Sequence, residues 1–241
     1  MTVPSLVIAL LAAVVVFAGC ESTQDESARL KAAGGDFSTG KKVDVKKQSG
    51  DVEVLDTAIV EDQNGGAAVI KLKNDTKQGL IRVPISFSAK NKAGKEVFAN
   101  NEPGLDVALT SISYVPTGEA VYWIHDQLLT SEPASKLDAK IGAPTSMSSK
   151  PPPEIVIKNP KIHVDEVDGT EIVGRVSNQS KILQEDLIIY SVALKGSKVV
   201  AAGRAAITRL KPGKSKPFRA FVIGNPKGAK LVTSAPPTTF Q

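Results

Sequence analysis

The feature that most constrains the fold of this chain is an internal repeat. Residues 69–76, Val-Ile-Lys-Leu-Lys-Asn-Asp-Thr, align with residues 173–180, Val-Gly-Arg-Val-Ser-Asn-Gln-Ser. Each segment is typical of a strand followed by an Asn-x-Ser/Thr turn, in which the Asn and hydroxyl side chains bond the local backbone. Two copies of one such pattern predict two copies of one domain.

The similarity continues beyond the turn. Apolar residues then alternate in both halves, a Gly turn follows, and a second Gly turn precedes an aromatic residue. The matched positions are Val83, Ile85 and Phe87 with Leu187 and Ile189, Gly94 with Gly196, Gly118 with Gly213, and Trp123 with Phe218. The offset between the halves is 102 residues at the first Gly pair and 95 at the second. The first half therefore carries about seven extra residues between Ala99 and Leu109, and its composition there is that of a loop.

Short alternating segments separated by turn signals predict an all-β fold with two tandem immunoglobulin-like antiparallel β-sandwiches. Apolar residues make up 41% of the chain but aromatic residues only 5%, so the cores consist mainly of Val, Ile, Leu and Ala. The predicted domains are residues 51–142 and 154–241, joined by a Pro-rich linker at residues 143–153. Pro84 indicates an edge strand or a bulge. The single cysteine excludes a disulfide within the chain.

The first 19 residues have the pattern of a signal peptide. Leu6 to Phe17 is an unbroken apolar run of 12 residues, which suits a signal-peptide core and is short for a membrane-spanning helix. The polar residues 20–50 lack the large apolar side chains needed for a core, and they predict a flexible tether. The alternative is a buried or membrane-spanning helix that happens to precede a cysteine.

The end of this leader resembles the lipobox of bacterial lipoproteins. Its residues are Phe17, Ala18, Gly19 and Cys20. The resemblance implies cleavage after Gly19 and lipidation of Cys20, which would anchor the protein to the cell membrane on the extracytoplasmic side. Several acyl chains on one residue are enough for stable anchoring.

The second half resembles the FxLYD domain family, small β-sandwich modules of bacterial secreted proteins and lipoproteins. The matching positions are Gly174, Val176, Asn178, Ser180, Leu187, Ile189, Gly196, Val199, Val200, Leu210, Pro212, Gly213, Pro217 and Phe218. The family's naming signature is replaced here by Leu-Ile-Ile-Tyr at residues 187–190. The resemblance implies the sandwich fold and no catalytic residues.

No constellation in the sequence points to catalysis, a metal or a cofactor. His125 and His163 are the only histidines, and neither has metal-ligand spacing to a second ligand. We expect each of them to be a surface or a hydrogen-bonded histidine. Asp165, Glu166, Asp168 and Glu171 have carboxylate oxygens of the kind that bind Ca²⁺. Asp168-Gly169 is also a strong hairpin signal, and we interpret the segment as a turn. We expect no enzyme activity and no nucleic-acid binding, since basic residues do not alternate with aromatics in a stripe.

Recognition is predicted to use exposed strand edges, the loops at the sandwich ends and exposed aromatics. Asn100, Asn101 and Glu102 lie in the insertion that the second half lacks, and they form the candidate interaction surface together with Tyr122. Tyr114 and Trp123 are close to Tyr122 in the sequence, and Trp123 is expected in the core. A basic cluster at Lys41, Lys42, Lys46 and Lys47 either contacts anionic lipid or wall polymer or is a solvated spacer.

These observations predict a non-enzymatic binding, scaffold or spacer module of the cell envelope. Its partners would be the membrane, through the lipid on Cys20, and an envelope protein or wall polymer. The alternative is a solute- or glycan-binding accessory subunit of an envelope transporter. That alternative requires a concave pocket, near Tyr122 or between the two domains.

Overall fold

The structure, a computed structural model, describes residues 45–102, 104–165 and 169–240. These residues form no α-helix, only one 3₁₀ turn at Val107–Leu109, and no helix among them is long and apolar enough to cross a membrane. They belong to one compact unit. The strands of the first repeat are β1 (Val52–Asp62), β2 (Gly65–Asn74), β3 (Gly79–Lys90), β4 (Glu96–Ala99), β5 (Ser111–Val115), β6 (Ala120–Leu128), β7 (Lys136–Ile141) and β8 (Ser146–Ser148). The strands of the second are β9 (Ile155–Asp165), β10 (Gly169–Asn178), β11 (Gln184–Lys195), β12 (Lys198–Leu210), β13 (Ser215–Phe221), β14 (Ile223–Gly224) and β15 (Lys230–Ser234). The predicted class, all-β with tandem antiparallel sandwiches, is confirmed.

Each repeat contains two antiparallel sheets. In the first repeat, sheet I has β3 at its centre, with β4 and β5 along one edge and β7 and β8 along the other. Sheet II has the order β1-β2-β6. In the second repeat, sheet III has the order β14-β12-β11-β15, and sheet IV has the order β13-β10-β9. Sheets I and III are therefore equivalent, and so are sheets II and IV.

The two repeats agree in their local hydrogen bonds. The Asn74 side chain donates to Gln78 O at 2.7 Å and to Val115 O at 3.2 Å, and its Oδ1 accepts from Thr76 N at 2.8 Å. Asn178 makes the same three bonds, to Ile182 O at 2.7 Å, to Leu210 O at 3.0 Å and from Ser180 N at 3.0 Å. Both Asn side chains are buried, so each supplies hydrogen bonds that water cannot replace.

The registers of the equivalent strands also agree. Trp123 lies opposite Ile70, four residues before Asn74, and Phe218 lies opposite Gly174, four residues before Asn178. Gly174 has no side chain, and a Cβ there would overlap the Phe218 ring. The aromatic positions aligned in the sequence are thus structurally equivalent.

The extra residues of the first repeat interrupt one strand. In the second repeat β12 runs without a break along β11, but in the first repeat the equivalent edge is divided into β4 and β5. The segment between them contains the 3₁₀ turn, which begins where Asp106 Oδ1 accepts a hydrogen bond from Ala108 N at 2.8 Å. The insertion therefore lies between Ala99 and Leu109, where the change in offset between the two halves of the sequence predicted it.

The two sandwiches share a hydrophobic interface. Sheet II packs against sheet III, which gives four layers in the order I, II, III and IV. Val69 and Ile124 are cross-strand partners in sheet II, and Val192 and Ala202 are partners in sheet III. All four are buried in one apolar cluster. The sequence pattern had placed a stiff linker between separate domains, whereas the described residues form a continuous stack.

Polar contacts fix the register of this interface. Arg204 of β12 donates through Nε to Asp126 Oδ1 of β6 at 2.8 Å, and both side chains are mostly buried, with exposed fractions of 11% and 20%. Asp62 Oδ2 accepts from Gly224 N at 2.7 Å. Tyr190 is buried next to Arg204, its cross-strand partner, and burial raises its pKa above the ordinary value. Charged and polar groups of the two repeats are thus paired across an otherwise apolar contact.

Two segments outside the predicted sandwich boundaries are also attached to the fold. Val45 is buried, and Ser49 N donates to Ile141 O at 2.7 Å, so residues 45–50 lie along the end of β7. Ser146–Ser148, within the predicted linker, forms strand β8 of sheet I. The remainder of the predicted tether, residues 20–44, lies outside the described residues.

Candidate functional site: a groove between the repeats

An open groove of about 560 Å³ lies at the junction of the two repeats. Three segments form its walls. They are the end of β5 with the β5–β6 turn and the start of β6, the linker with the start of β9, and the end of β15 with the chain that follows it. The groove exists because the two repeats are stacked, since neither repeat supplies all three walls.

Strand edges face this groove. Residues 120–122 of β6, 155–157 of β9 and 232–234 of β15 all line it, three consecutive residues from each strand. Side chains of a strand alternate between its two faces, so a surface lined by consecutive residues is approached from the edge of the strand. The sheet order agrees, because β6, β9 and β15 are each the last strand of their sheet.

Tyr122 contributes the aromatic surface of the groove. Its side chain is half-buried, and the ammonium of Lys71, its cross-strand partner, lies 5.6 Å from the ring centroid. Tyr114 is buried in the adjacent wall, where its ring lies 5.5 Å from that of Phe240, and burial raises its pKa. A Cβ at Gly79 would overlap the Tyr114 hydroxyl, so this glycine leaves room for the Tyr114 side chain. The sequence analysis identified Tyr122 as a candidate, and the structure places it in the groove.

The charged residues of the groove are acidic. Glu119 and Glu154 line it and are exposed, and no Lys or Arg is among the lining residues that the structure describes. Five prolines complete the walls, at positions 116, 152, 153, 236 and 237. The sequence analysis expected exposed strand edges to take part in recognition, but edge strands and these prolines carry no motif, so it named none of their residues in the candidate site except Tyr122.

The insertion residues do not form an accessible surface as a group. Asn100 is fully buried, and its Oδ1 accepts from Phe87 N at 2.7 Å while its Nδ2 donates to Ile85 O and Leu109 O at 2.9 Å. The side chain satisfies backbone groups of β3 at the point where β4 and β5 are separated. This corrects the assignment of Asn100 to the interaction surface. Asn101 is half-buried and Glu102 is exposed, and neither lines the groove.

Trp123 is a core residue, as expected. It is fully buried, and its Nε1 donates to Ala108 O at 3.0 Å and Ser111 O at 3.1 Å, both in or next to the insertion. The insertion is therefore attached to the core of sheet II through this indole.

His125 is also fully buried, and neither ring nitrogen has a hydrogen-bond partner among the described residues. Its ring centroid lies 5.2 Å from those of Phe87 and Phe98 and 6.2 Å from that of Trp123. Burial, and to a lesser extent the Arg204 charge, lower the pKa of His125 to about 4, against a smaller opposing effect of Asp126. The sequence analysis expected a surface or hydrogen-bonded histidine, and the structure contradicts this.

His163 is exposed on sheet IV, and Glu171 opposite it on β10 is fully buried. The Glu171 carboxylate accepts from Arg219 Nε, at 2.9 Å to each oxygen. No metal-binding group of three or more His, Cys, Asp or Glu occurs within the described residues. Residues 166–168 of the acidic turn lie outside them.

The lipobox positions Phe17, Ala18, Gly19 and Cys20 lie outside the described residues, as do Lys41 and Lys42. Lys46 and Lys47 are exposed. No protein-family model matches the chain, and no curated protein matches it.

Proposed function

We propose that this protein is a membrane-anchored, extracytoplasmic lipoprotein that acts as a non-enzymatic binding or scaffold module of the cell envelope. The observation that carries the proposal is the groove between the repeats, which both repeats build and which contains Tyr122. Binding sites commonly form where two domains meet. The stacked sheets supply a scaffold, and the strand edges and turns at its end supply the recognition surface.

The anchoring part of the proposal is based on the leader and on Cys20. An apolar run of 12 residues followed by Ala18, Gly19 and Cys20 is the pattern of a lipidated signal sequence. The second repeat is proposed to be an FxLYD-like module. Among the turn residues that carry that resemblance, Ser180 and Gly213 both donate hydrogen bonds to Asn178, which supports a shared fold and no particular activity.

Co-purification from membranes tests the binding function. The full-length protein, cross-linked in cells and extracted with detergent, is expected to retain a specific envelope partner that Tyr122→Ala loses. Phe221→Ala is the matched control, since Phe221 is an aromatic residue that is 56% exposed and does not line the groove. Equal recovery of the partner by Tyr122→Ala and by the control would show that the groove is not the binding site.

A second candidate function is glycan or solute binding for a transporter. The half-exposed Tyr122 ring next to the carboxylates of Glu119 and Glu154 favours it, because sugar recognition often combines a stacking aromatic with acceptors for hydroxyl groups. Titration of the protein with oligosaccharides of N-acetylglucosamine distinguishes this function. Saturable binding that Tyr122→Ala abolishes would favour the second candidate over the first.

A further inference from the structure

The three edge strands of the groove offer hydrogen-bonding groups to an additional strand. Along an edge strand, every second residue directs its N–H and C=O groups away from the sheet. The groove is lined by such edges on β6, β9 and β15, at residues 120–122, 155–157 and 232–234. Three residues of a strand span about 10 Å, enough for a short peptide to form a ladder. An extended peptide that adds a strand obtains its affinity from these backbone bonds, whatever its sequence.

Strand β9 is irregular beyond the groove but regular within it. In β9 the backbone turns aside at Asn159, which has a positive φ of 51°, and Pro160 follows it. A bulge and a proline are common means of preventing strand addition. Residues 155–157 precede both of these features, so the part of β9 in the groove remains regular.

Charge complementarity defines the peptide. Glu119 and Glu154 are exposed carboxylates in the walls, and no basic residue is among the described lining residues. This local charge is opposite to that of the second repeat as a whole, in which residues 154–241 hold 14 Lys and Arg and seven Asp and Glu. A bound strand directs alternate side chains to one face, so basic residues at every second position can reach the carboxylates while apolar ones contact Tyr122 and Val232.

We propose that the groove binds an extended peptide segment with alternating basic and apolar side chains, and that this segment adds as a strand to an edge of the groove. The partner class is therefore a protein with an exposed or unstructured cationic segment. This inference rests on the proposed function, in that it assigns the partner class of the same groove.

The test uses full-length, lipid-modified protein in detergent micelles and isothermal titration with synthetic peptides. The probe is a hexapeptide that alternates valine and lysine, with capped ends. We expect it to bind about tenfold more tightly than the valine–glutamate hexapeptide, a difference typical of complementary charges at a rim. N-methylation of alternate backbone amides is expected to weaken binding by at least about tenfold, because each methyl group removes a donor from the ladder.

Two double variants separate local from general charge effects. Glu119→Gln with Glu154→Gln is expected to weaken the valine–lysine peptide about tenfold. Glu53→Gln with Glu96→Gln makes the same change in net charge at two exposed residues that do not line the groove, and it is expected to leave binding unchanged. Amide hydrogen exchange identifies the edge, through peptide-dependent protection within residues 120–122, 155–157 or 232–234.

Each outcome bears on the inference. Equal binding of the lysine and glutamate peptides, or equal loss in the two double variants, would overturn the charge assignment. Undiminished binding of the N-methylated peptide, or no new amide protection at the three edges, would overturn strand addition. If Tyr122→Ala loses the envelope partner while no hexapeptide binds, the groove remains a binding site and only the peptide class is wrong.

Discussion

The buried His125 makes stability depend on pH in a way that the structure specifies. Its ring lies among Phe87, Phe98 and Trp123 without a hydrogen-bond partner among the described residues, so the folded protein favours the neutral imidazole. The pKa of His125 is about 4 in the folded state, against an ordinary value of 6.5. The unfolded chain therefore binds a proton more readily than the folded one.

The sign and size of the effect follow from this difference. Above pH 6.5 both states are neutral at His125, and the full stability is present. As the pH falls from 6.5 towards 4, the unfolded state is protonated first, and the free energy of unfolding decreases by about 2 kcal/mol at pH 5 and about 3 kcal/mol at pH 4. Arg204 contributes to the low pKa, whereas Asp126 opposes it.

Urea denaturation from pH 7.5 to pH 4 measures the effect, with His125→Phe as the variant. The phenyl ring keeps the aromatic cluster and removes the titrating group, so the stability difference between variant and wild type should grow by about 3 kcal/mol across this range. His163→Gln is the control, since His163 is exposed, and it should follow the wild-type pH dependence. If His125→Phe and wild type lose stability in parallel, the reasoning about the buried imidazole is wrong.

Three further predictions concern the interface, the repeat and the anchor. Asp126→Ala leaves Arg204 mostly buried without its carboxylate and should lower the free energy of unfolding by about 3 kcal/mol in urea denaturation. The double variant Asp126→Leu with Arg204→Met should regain most of this loss. An Asp126→Ala variant as stable as the wild type would contradict the assigned role of the pair. Asn74→Ala and Asn178→Ala should each lower the free energy of unfolding by about 2–3 kcal/mol, measured by thermal denaturation, because each leaves equivalent buried backbone groups unpaired. Clearly unequal losses would argue against equivalent roles of the two residues. Cys20→Ser should abolish labelling by a radioactive fatty acid and release the protein from the membrane fraction, and unchanged membrane association would exclude the lipid anchor.

The fold was predictable from local patterns because its constraints are local. Turn residues such as Asn74 and Gly118 act through bonds to nearby backbone, and Gly118 N donates to Asn74 O in the same way that Gly213 N donates to Asn178 O. Alternation along β13, where Phe218 and Ala220 are buried between exposed neighbours, shows one buried face and one solvated face. Such features fix strands, turns and the repeat without information on distant contacts.

The candidate site was only partly predictable. Tyr122 was identified by its residue type and its place opposite the core face. Asn100 was assigned to an exposed loop because asparagine is common there, but its amide replaces backbone hydrogen bonds that the divided strand has lost. Composition does not distinguish an asparagine that faces solvent from one that completes a sheet. The groove itself depends on the tertiary arrangement, since its walls come from three separate segments within residues 114–237.

The stacking of the two sandwiches does have a signal in the sequence. A strand with one solvated face alternates, whereas a strand buried on both faces has a continuous apolar run. Residues 67–70 of β2, Ala-Ala-Val-Ile, are all buried, and so are residues 189–193 of β11, Ile-Tyr-Ser-Val-Ala. These runs lie in sheets II and III, the two middle layers, and the outermost strands β9 and β13 lack them. Loss of alternation in one sheet of each repeat therefore indicates which sheets meet. The same stacking brings the edge of β6 next to those of β9 and β15, so the buried runs that join the repeats also create the groove.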